Sequence, residues 1–368
     1  MIELKRKELG LQDRLTNKTF NFDQRYQDGY FSASYFMKTE KIIKDCFPDV
    51  VVTMQFFTRK KSVLCGIDES IALLHTFAKN PQDLEIMALN DGDEVEPFEP
   101  VLKVHGRYQD FGYLEGAIDG ILARRTSVCT NCSEIMKVKS ANSSVMFFGD
   151  RDDDPRNHPG DGYSAYVAGI KLVCTDAMGE WTGQKGIGTM PHALIVMHNK
   201  DLIAASTSFN NAFPNDNLTV LVDTNNDVIN DSLLVARHFK EKLWGVRVDT
   251  SISLQDKYFQ RLNISYEDMS TRGVNVKLIK ALRKALDEEG FNHVKIVVSS
   301  GFDVEKVKLF TNENAPVDTY GIGGSLIKCT RSFTGDVVNI NGIPMAKEGR
   351  KELFSDRLKK VSFPIKGE

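Results

Sequence analysis

Long hydrophobic runs are missing from this 368-residue chain, since no apolar stretch approaches the roughly 20 residues that a membrane-spanning helix requires. A large net charge is missing as well, because 47 lysines and arginines oppose 50 aspartates and glutamates and leave −3. This balance implies no general attraction to nucleic acid or to an anionic membrane. The composition therefore predicts a globular protein with small-molecule ligands.

Cysteine is scarce, and six cysteines in a chain of this length do not make a disulfide scaffold. Cys129 and Cys132 form a Cys-Thr-Asn-Cys segment, but no second pair follows at a zinc-site spacing. Two thiols on a helix are the favoured interpretation, and weak zinc or redox use is the alternative. The first five residues are charged and lack the apolar core of a signal peptide. These features together predict a cytoplasmic location.

Short β-type runs and helical segments alternate in the second half of the chain. The apolar runs 218–222 and 294–298 predict strands, whereas 228–239 and 276–289 carry the apolar spacing of amphipathic helices. This alternation is typical of a β/α barrel, whose chemistry lies where strands give way to loops. The segment before about residue 108 instead predicts a mixed α+β module.

One histidine lies just past a glycine and a proline, in Gly188-Thr189-Met190-Pro191-His192. Gly188 lets the backbone turn and Pro191 fixes one φ angle, so we expect a stiff segment to hold the imidazole of His192. An apolar run, 193–197, follows it. A lone histidine is more often structural than functional, and that alternative stays open here.

Polar residues follow two of the predicted strands. Asp223 follows 218–222, and Arg247 and Asp249 lie two residues apart, so both point to one face of their strand. They could form a simple ion pair. The functional interpretation is a clamp in which Asp249 accepts hydrogen bonds from ribose hydroxyls or helps to hold Mg²⁺, while Arg247 neutralises phosphate.

Glycine-rich turns follow two further strand-like runs, at Ser299-Ser300-Gly301 and at Gly321-Ile322-Gly323-Gly324-Ser325. Backbone N–H groups that glycine exposes make anion-binding nests, and the serine hydroxyls add donors. Two such turns after neighbouring strands indicate a phosphate site of the kind that β/α barrels carry on their last strands.

Two other features have a structural and a functional interpretation. Arg151 precedes three aspartates, so it is either solvated among acids or a fork for the carboxylate of an acidic substrate. An aromatic cluster at Tyr30, Phe31, Tyr35 and Phe36 is more often core, although one ring could stack on a flat heterocycle.

Taken in order, these segments resemble the nicotinate phosphoribosyltransferases, which are type II phosphoribosyltransferases. The resemblance covers most of the chain. The motifs that carry it are Tyr35-Phe36-x-Lys38-Thr39, the Glu115 region, Thr126-Ser127-Val128, Phe148-Gly149-x-Arg151, Gly188-Thr189-Met190-Pro191-His192-Ala193-Leu194-Ile195, Val222-Asp223-Thr224, Gly245-Val246-Arg247-Val248-Asp249, Ser300-Gly301-x-Asp303, Val317-Asp318-x-x-Gly321-x-Gly323 and Gly342-x-Pro344-Met345-Ala346-Lys347.

The resemblance implies an α/β fold in which an irregular α/β barrel, 109–332, adjoins an open-faced α/β sandwich made of 1–108 and 333–368. It also implies the reaction: nicotinate attacks C1 of phosphoribosyl pyrophosphate and gives nicotinate mononucleotide for NAD salvage. ATP hydrolysis is coupled through a phosphorylated histidine at the position of His192, with Mg²⁺ present. A homodimer with shared active sites is expected.

Individual roles follow from the same resemblance. Arg151 and Thr175 would hold the nicotinate carboxylate, and Tyr35 of a neighbouring subunit would stack on the pyridine. Phosphoribosyl pyrophosphate would contact a larger set, namely Asp223, Arg247, Asp249, Ser300, Gly301, Gly323 and Gly324. His192, Arg247 and Asp249 are the candidate catalytic residues, and Asp249 is the candidate Mg²⁺ ligand.

The chain departs from the family pattern at Asp152-Asp153-Asp154, a block of acids after Arg151, and at Ala33, which stands where an aspartate is common. The acids favour an alternative in which the base is nicotinamide or another pyridine. Quinolinate fits less well, because a dicarboxylate needs a denser basic pocket. A catalytically silent barrel that binds a phosphorylated metabolite is the remaining alternative.

Overall fold

The computed structural model describes residues 14–16 and 18–361. Its strands, in chain order, are β1 (Val51–Thr58), β2 (Ser62–Val63), β3 (Glu85–Ala88), β4 (Glu94–Val95), β5 (Pro100–Arg107), β6 (Ser144–Phe147), β7 (Leu172–Val173), β8 (Leu218–Leu221), β9 (Leu243–Val248), β10 (Lys295–Val298), β11 (Thr319–Ile322), β12 (Phe333–Ile340), β13 (Ile343–Pro344) and β14 (Lys359–Lys360).

The α-helices of the same part of the chain are α1 (Ser34–Cys46), α2 (Ile67–Phe77), α3 (Tyr108–Phe111), α4 (Glu115–Val138), α5 (His158–Val167), α6 (His192–Met197), α7 (Leu202–Ala212), α8 (Val228–Phe239), α9 (Lys257–Arg261), α10 (Val276–Glu288) and α11 (Val304–Asn312). Short 3₁₀ turns occupy Gln24–Tyr26, Pro81–Asp83, Gly112–Leu114, Gly149–Arg151, Pro155–Asn157, Ala177–Gly179, Lys240–Lys242 and Met269–Thr271. No helix in these ranges is long and apolar enough to cross a membrane.

By their internal contacts the described residues form two compact units. The first comprises the residues up to 133, 159–169 and those from 328 onward, and the second comprises 134–158 and 170–327. The predicted boundaries, 108/109 and 332/333, lie at other positions than these limits. The predicted α/β fold class is confirmed, with a six-stranded parallel sheet, a six-stranded antiparallel sheet and a separate antiparallel pair, β2 and β4.

The first unit is built on an antiparallel sheet with strand order β13-β12-β1-β5-β3-β14. Its central strand β1 pairs with β5, which is close in sequence, and also with β12, which lies almost 300 residues later in the chain. Buried side chains such as Phe56, Leu73 and Val104 form its apolar core. Asn341 and Gly342 connect β12 to β13 with φ of +50° and +84°, the left-handed pair that a tight hairpin turn requires.

The second unit is built on a parallel sheet with strand order β7-β6-β11-β10-β9-β8. Its central strand β10 is apolar because a parallel sheet is covered on both faces, and Ile296, Val297 and Val298 are all buried. The strand order runs from an edge at β7 to an edge at β8, and these two strands do not pair with each other. The predicted barrel is therefore an open half-barrel.

Two helices of this unit lie where the spacing of apolar residues predicts them. Helix α8 begins and ends where the apolar spacing predicts, and it buries Val228, Val235 and Ala236 against the sheet. Helix α10 begins at the Asn275 cap, whose side chain accepts the N–H of Leu278 at 2.9 Å. It ends just before Gly290, whose φ of +81° suits the residue after a helix.

Candidate active site

The carboxyl ends of all six parallel strands carry the site residues that the sequence predicts. They are Arg151 after β6, Thr175 after β7, Asp223 after β8, Asp249 after β9, Ser300 and Gly301 after β10, and Gly323 and Gly324 after β11. Because the strands are parallel and neighbours in the sheet, these ends lie along one edge. The fold therefore brings together residues that are far apart in the sequence.

His192 is the first residue of α6, with Pro191 as the helix cap. Its Nε2 lies 3.2 Å from Oδ1 of Asp223, and the side chains are 45% and 7% exposed. Burial raises the pKa of the Asp223 carboxyl, His192 opposes the rise, and the charge of Asp249 adds to it. The imidazole is thus anchored on one nitrogen and open to ligands. The apolar run after it is largely exposed at Val196 and Met197, so Ile195 alone supplies a buried anchor there.

Arg247 and Asp249 form the ion pair that their spacing allows, and both also make hydrogen bonds to neighbouring side chains. Arg247 donates to Asp249 at 3.2 Å, to Oγ of Ser299 at 3.1 Å and to Oγ1 of Thr189 at 3.3 Å. The second oxygen of Asp249 accepts the Ser299 hydroxyl at 2.6 Å. Thr189 belongs to the segment that precedes His192, so these bonds tie the histidine loop to the end of β9.

Phe148 directly follows β6, and its ring lies close to residues of β9 and β11. The guanidinium of Arg247 is 5.1 Å from the centre of its ring. A Cβ on Gly321 would come within 2.8 Å of the same ring, and a Cβ on Gly323 would collide with the Phe148 carbonyl oxygen. Gly321 lies inside β11, so only Gly323 and Gly324 form the turn after the strand. These glycines are needed because the 148–152 segment approaches their backbone closely.

The second glycine turn has unusual backbone angles. Ser300 and Gly301 have φ of +77° and +67°, and such an angle is strained at a serine. Lys306, in the first turn of α11, donates its Nζ to the Ser300 carbonyl oxygen at 3.1 Å. Asp303 caps α11 by accepting the backbone N–H of Lys306 at 2.9 Å, which is a structural role.

Arg151 is exposed, and among the described residues its guanidinium has neither a hydrogen bond nor an ion pair. The neighbouring acids have other surroundings. Asp154 binds the guanidinium of Arg156, and Asp153 accepts from the side chain of Asn157. The acidic block therefore does not neutralise Arg151 by pairing with it.

Asp152 occupies a special place in this block. Its carboxylate oxygens lie where a Cβ on Gly323 would approach to 2.8 Å and a Cβ on Gly324 to 3.1 Å. The carboxylate thus rests against the glycine pair that the sequence predicts as a phosphate cradle. A bound phosphate at this turn would meet a like charge.

Thr175 takes part in a small polar cluster beside the Arg151 segment. Its hydroxyl lies 3.4 Å from Nδ1 of His158, whose Nε2 lies 3.2 Å from the backbone oxygen of Asp150. The thiol of Cys174 donates to the Asp150 carboxylate at 3.3 Å, and burial raises the pKa of this thiol to about 12. Cys174 is therefore a protonated donor that occupies Asp150.

Tyr35 belongs to the other unit, where it lies in the first turn of α1 with 62% of its surface exposed. Of the aromatic cluster, only Phe36 is buried, so the core interpretation holds for one of the four rings. Tyr35 is therefore available to a ligand or to another molecule.

The sequence assigned no role to Thr189, Phe148 or His158, and it gave Ser299 only as a hydroxyl donor in a phosphate-binding turn. Thr189, Phe148 and Ser299 lie inside the quoted segments, so a signal was present, but nothing local shows that their side chains meet Arg247. His158 had no signal beyond its residue type. No group of three or more His, Cys, Asp or Glu side chains in the described ranges has the arrangement of a metal site. Cys129 and Cys132 are both buried thiols on α4, as the simpler interpretation expects.

Comparison with known proteins adds an independent finding. Residues 32–126 match the family model described as the N-terminal domain of quinolinate phosphoribosyl transferase. The nicotinate phosphoribosyltransferase pncB1 of Mycobacterium tuberculosis is 24% identical over 280 residues, which cover 71% of this chain and 57% of that protein. The nicotinate phosphoribosyltransferase of Bacillus subtilis is 21% identical over 300 residues, covering 74% and 56%. This chain thus spans less than two thirds of either relative.

Solved structures are similar over more of the chain. The nicotinate-nucleotide pyrophosphorylase of Pyrococcus furiosus is 29% identical, with a TM-score of 0.76 over 90% of this chain and 80% of that one. Human nicotinic acid phosphoribosyltransferase is 17% identical, with a TM-score of 0.65 over 85% and 75%, which shows a shared fold.

Proposed function

We propose that this chain transfers a phosphoribosyl group to nicotinate, because its motifs resemble those of the nicotinate phosphoribosyltransferases and two such enzymes are 24% and 21% identical to it. The pyridine nitrogen attacks C1 of phosphoribosyl pyrophosphate, the C1–oxygen bond to pyrophosphate breaks, and nicotinate mononucleotide forms. The observation that carries the proposal is the meeting, at the ends of six neighbouring strands, of an Arg–Asp–Ser cluster, two glycine turns and Arg151, which has no partner in the described part of the chain.

Recognition of the base rests on Arg151. A planar guanidinium binds a carboxylate through two parallel hydrogen bonds, and the donors of Arg151 have no partner among the described residues, while Asp150, Asp153 and Asp154 are each engaged by another side chain. Thr175 adds a hydroxyl beside it. The ring of Phe148 supplies a flat apolar surface of the kind on which a pyridine stacks.

Recognition of the sugar phosphate rests on Arg247, Asp249 and the glycine turns. Asp249 accepts from ribose hydroxyls, and Arg247 faces the pyrophosphate. The 5′-phosphate lies against Ser300-Gly301 and Gly323-Gly324. Bond breaking at C1 develops positive charge on the ribose and negative charge on the leaving group. Fixed charges at this edge stabilise both, since they need no reorganisation during the reaction.

The acids of the edge fit Mg²⁺ in the way that phosphate-handling sites use it, through one or two carboxylates together with substrate phosphates. The negative charge of Asp249 is close enough to raise the pKa of Asp223, and a cation between the two carboxylates would relieve that repulsion. Both residues would hold the ion, which neutralises charge on the pyrophosphate.

His192 is the proposed acceptor of a phosphoryl group from ATP. Its Nε2 faces a carboxylate, which favours the tautomer with the proton on Nε2 and leaves the Nδ1 lone pair free to attack. The new N–P bond forms as the bond from the γ-phosphorus to ADP breaks. A homodimer in which an exposed Tyr35 stacks on the pyridine of a neighbouring subunit is part of the proposal, and so is a cytoplasmic location.

A product assay with phosphoribosyl pyrophosphate and each of three bases, nicotinate, nicotinamide and quinolinate, tests the substrate. We expect a nicotinate product, formed faster when ATP is present. Preference for nicotinamide or quinolinate would overturn the choice of base while leaving the reaction type in place. Binding of phosphoribosyl pyrophosphate without pyrophosphate release for any base would instead favour the silent barrel.

The role of His192 has its own experiment. His192→Ala should abolish ATP hydrolysis and acid-labile labelling by [γ-³²P]ATP while keeping slow, uncoupled transfer to the base. His198→Ala is the matched control, because His198 lies at the other end of the same short helix. Full ATPase activity in His192→Ala would rule out the phosphohistidine.

A further inference from the structure

A second cavity lies beside the candidate active site in the parallel-sheet unit. It has a volume of about 750 Å³ and is formed by the segments 251–252, 269–280, 300–301 and 306–313. It shares only the Ser300–Gly301 turn with the proposed site, since His192, Asp223, Arg247 and Asp249 do not line it. Its size falls in the range of about 300 to 1,000 Å³ that is usual for small-molecule sites.

The walls of this cavity are largely apolar. Ile252, Met269 and Leu309 line it although they are 62%, 58% and 53% exposed, and the buried side chains of Val274 and Phe310 complete the lining. Three large apolar side chains that converge on one hollow expose more hydrophobic surface than scattered ones do. The lining therefore favours a ligand with an apolar body.

The charges around the cavity are mostly positive. Four cations line it (Arg272, Lys277, Lys280 and Lys306), against one acid, Glu313. Three of the cations are held in place by neighbours. Arg272 donates to the Tyr266 carbonyl at 3.0 Å, Lys277 donates to the Ser270 hydroxyl at 2.8 Å, and Lys280 lies 3.6 Å from Glu313.

Among the described residues, Lys277 and Lys280 each have a carboxylate partner, whereas Arg272 and Lys306 form no ion pair. The Nζ of Lys306 donates to the Ser300 carbonyl oxygen and lies 4.3 Å from the centre of the Phe302 ring. Burial lowers the pKa of Lys306 to about 8, against the opposing charge of Asp303. A half-buried cation without an anion is costly, and an acidic ligand group beside it would remove that cost.

We propose that this cavity binds a small organic anion whose acidic group lies beside Lys306 and whose apolar body packs on Met269 and Leu309. The site is separate from the one proposed for nicotinate, and its existence does not depend on the enzyme's substrate. The structure joins the two only through the Ser300–Gly301 turn.

The probe for the test is 8-anilinonaphthalene-1-sulfonate, because it combines a sulfonate with aromatic rings and fluoresces when bound to apolar surfaces. We expect saturable binding at one equivalent per chain. Leu309→Asp places a negative charge, like that of the sulfonate, on the apolar wall. Lys306→Met removes the cation at similar volume. Each variant should weaken binding of the probe at least tenfold.

Matched controls are available within the same unit. Leu234→Asp changes another exposed leucine, on α8, and Lys284→Met changes a lysine of α10 that does not line the cavity. Both should bind the probe as the parent does. Thermal unfolding establishes that all four variants fold. Parent-like binding by folded Leu309→Asp and Lys306→Met would overturn the proposal.

Competition identifies the acidic group. Displacement of the probe by AMP but not by adenosine supports a phosphate, and displacement by benzoate but not by AMP supports a carboxylate. Both outcomes agree with an organic anion. Equal displacement by adenosine and AMP, or none by either anion, would contradict it.

Discussion

Two arginines of this protein, one in each unit, have opposite surroundings. In the antiparallel-sheet unit, Arg125 is almost fully buried and donates to Glu69 at 2.8 and 3.2 Å and to Asp161 at 3.4 Å. In the parallel-sheet unit, Arg151 is exposed and has no partner among the described residues. The donors of Arg125 are engaged by carboxylates of its own chain, whereas those of Arg151 have no partner among the described residues and could receive a carboxylate ligand.

The backbone around the two arginines shows the same contrast. A Cβ on Gly160 would overlap the guanidinium of Arg125, so even the neighbouring helix is shaped to admit that side chain. Around Arg151 the chain instead places acids and occupies them with Arg156, Asn157 and Cys174. The partners of an arginine side chain therefore indicate its role better than the residue type does.

The largest expected effect breaks the buried network. Arg125→Met removes the cation that Glu69 binds, while Asp161 keeps its pair with Arg124 at 2.6 Å, and we expect the free energy of unfolding to fall by about 3 to 5 kcal/mol. Urea unfolding measures it. Arg156→Met, which removes an exposed arginine paired with Asp154, is the control and should change stability by less than about 0.5 kcal/mol. Equal stability of Arg125→Met and the parent would show that the network is not structural.

A slightly smaller effect is expected at the candidate catalytic cluster. Asp249→Asn keeps the shape but weakens the interaction with Arg247 and with developing positive charge, so kcat/KM should fall by about 100-fold, or about 3 kcal/mol. Asp268→Asn changes a half-buried aspartate that caps the 3₁₀ turn Met269–Thr271 and serves as the control. A variant at position 249 as fast as the parent would remove Asp249 from the mechanism.

The free arginine sharpens the comparison further. Arg151→Ala should raise KM for nicotinate by about 30-fold, equivalent to about 2 kcal/mol for a lost charged hydrogen-bond pair, with little change in stability. The measurement is steady-state kinetics alongside thermal unfolding, with Arg156→Ala as control. If Arg151→Ala lost stability but kept its KM, the residue would be structural like Arg125.

A pH-dependent effect is expected in the antiparallel-sheet unit. Burial raises the pKa of Glu115 from 4.5 to about 8, with further contributions from Asp119 and Asp336. The folded state then keeps a proton that the unfolded state releases, so stability falls as pH rises from about 4.5 to 8. Glu115→Gln removes this dependence and should be more stable than the parent by about 1 to 3 kcal/mol above pH 8, with no gain at pH 4.5.

Urea titrations at pH 4.5, 7 and 8.5 follow this difference, with the exposed Glu305→Gln as control. A gain that is the same at all three pH values would contradict the protonated state of Glu115.

The smallest expected effect concerns the acid that rests on the glycine turn. Asp152→Asn removes a like charge from the proposed phosphate cradle, and KM for phosphoribosyl pyrophosphate should fall by about fivefold, near 1 kcal/mol. Asp153→Asn, at the adjacent acid that binds Asn157, should leave it unchanged. A rise in KM for Asp152→Asn would mean that this carboxylate assists binding.

Much of the fold was predictable because its signals are local. The apolar spacing of 228–239 marks α8, and Asn341-Gly342 marks a hairpin by its backbone preference alone. The candidate site was predictable as far as its strand ends. Thr189 and Phe148 were quoted in motifs without roles, and Ser299 only as a phosphate donor, because their contacts with Arg247 span 52 residues or more of sequence.

The sequence by itself determined where strands end and which polar residues follow them, since periodicity and turn chemistry act over a few neighbouring residues. Only the tertiary structure decided which of those residues stay free. Within the described residues Arg151 has no partner, while Arg156, Asn157 and Cys174 engage Asp154, Asp153 and Asp150, and Asp152 reaches Gly323 because β6 pairs with β11. Hydrogen-bond donors are satisfied or left open by neighbours in space, and those neighbours come from distant parts of the chain.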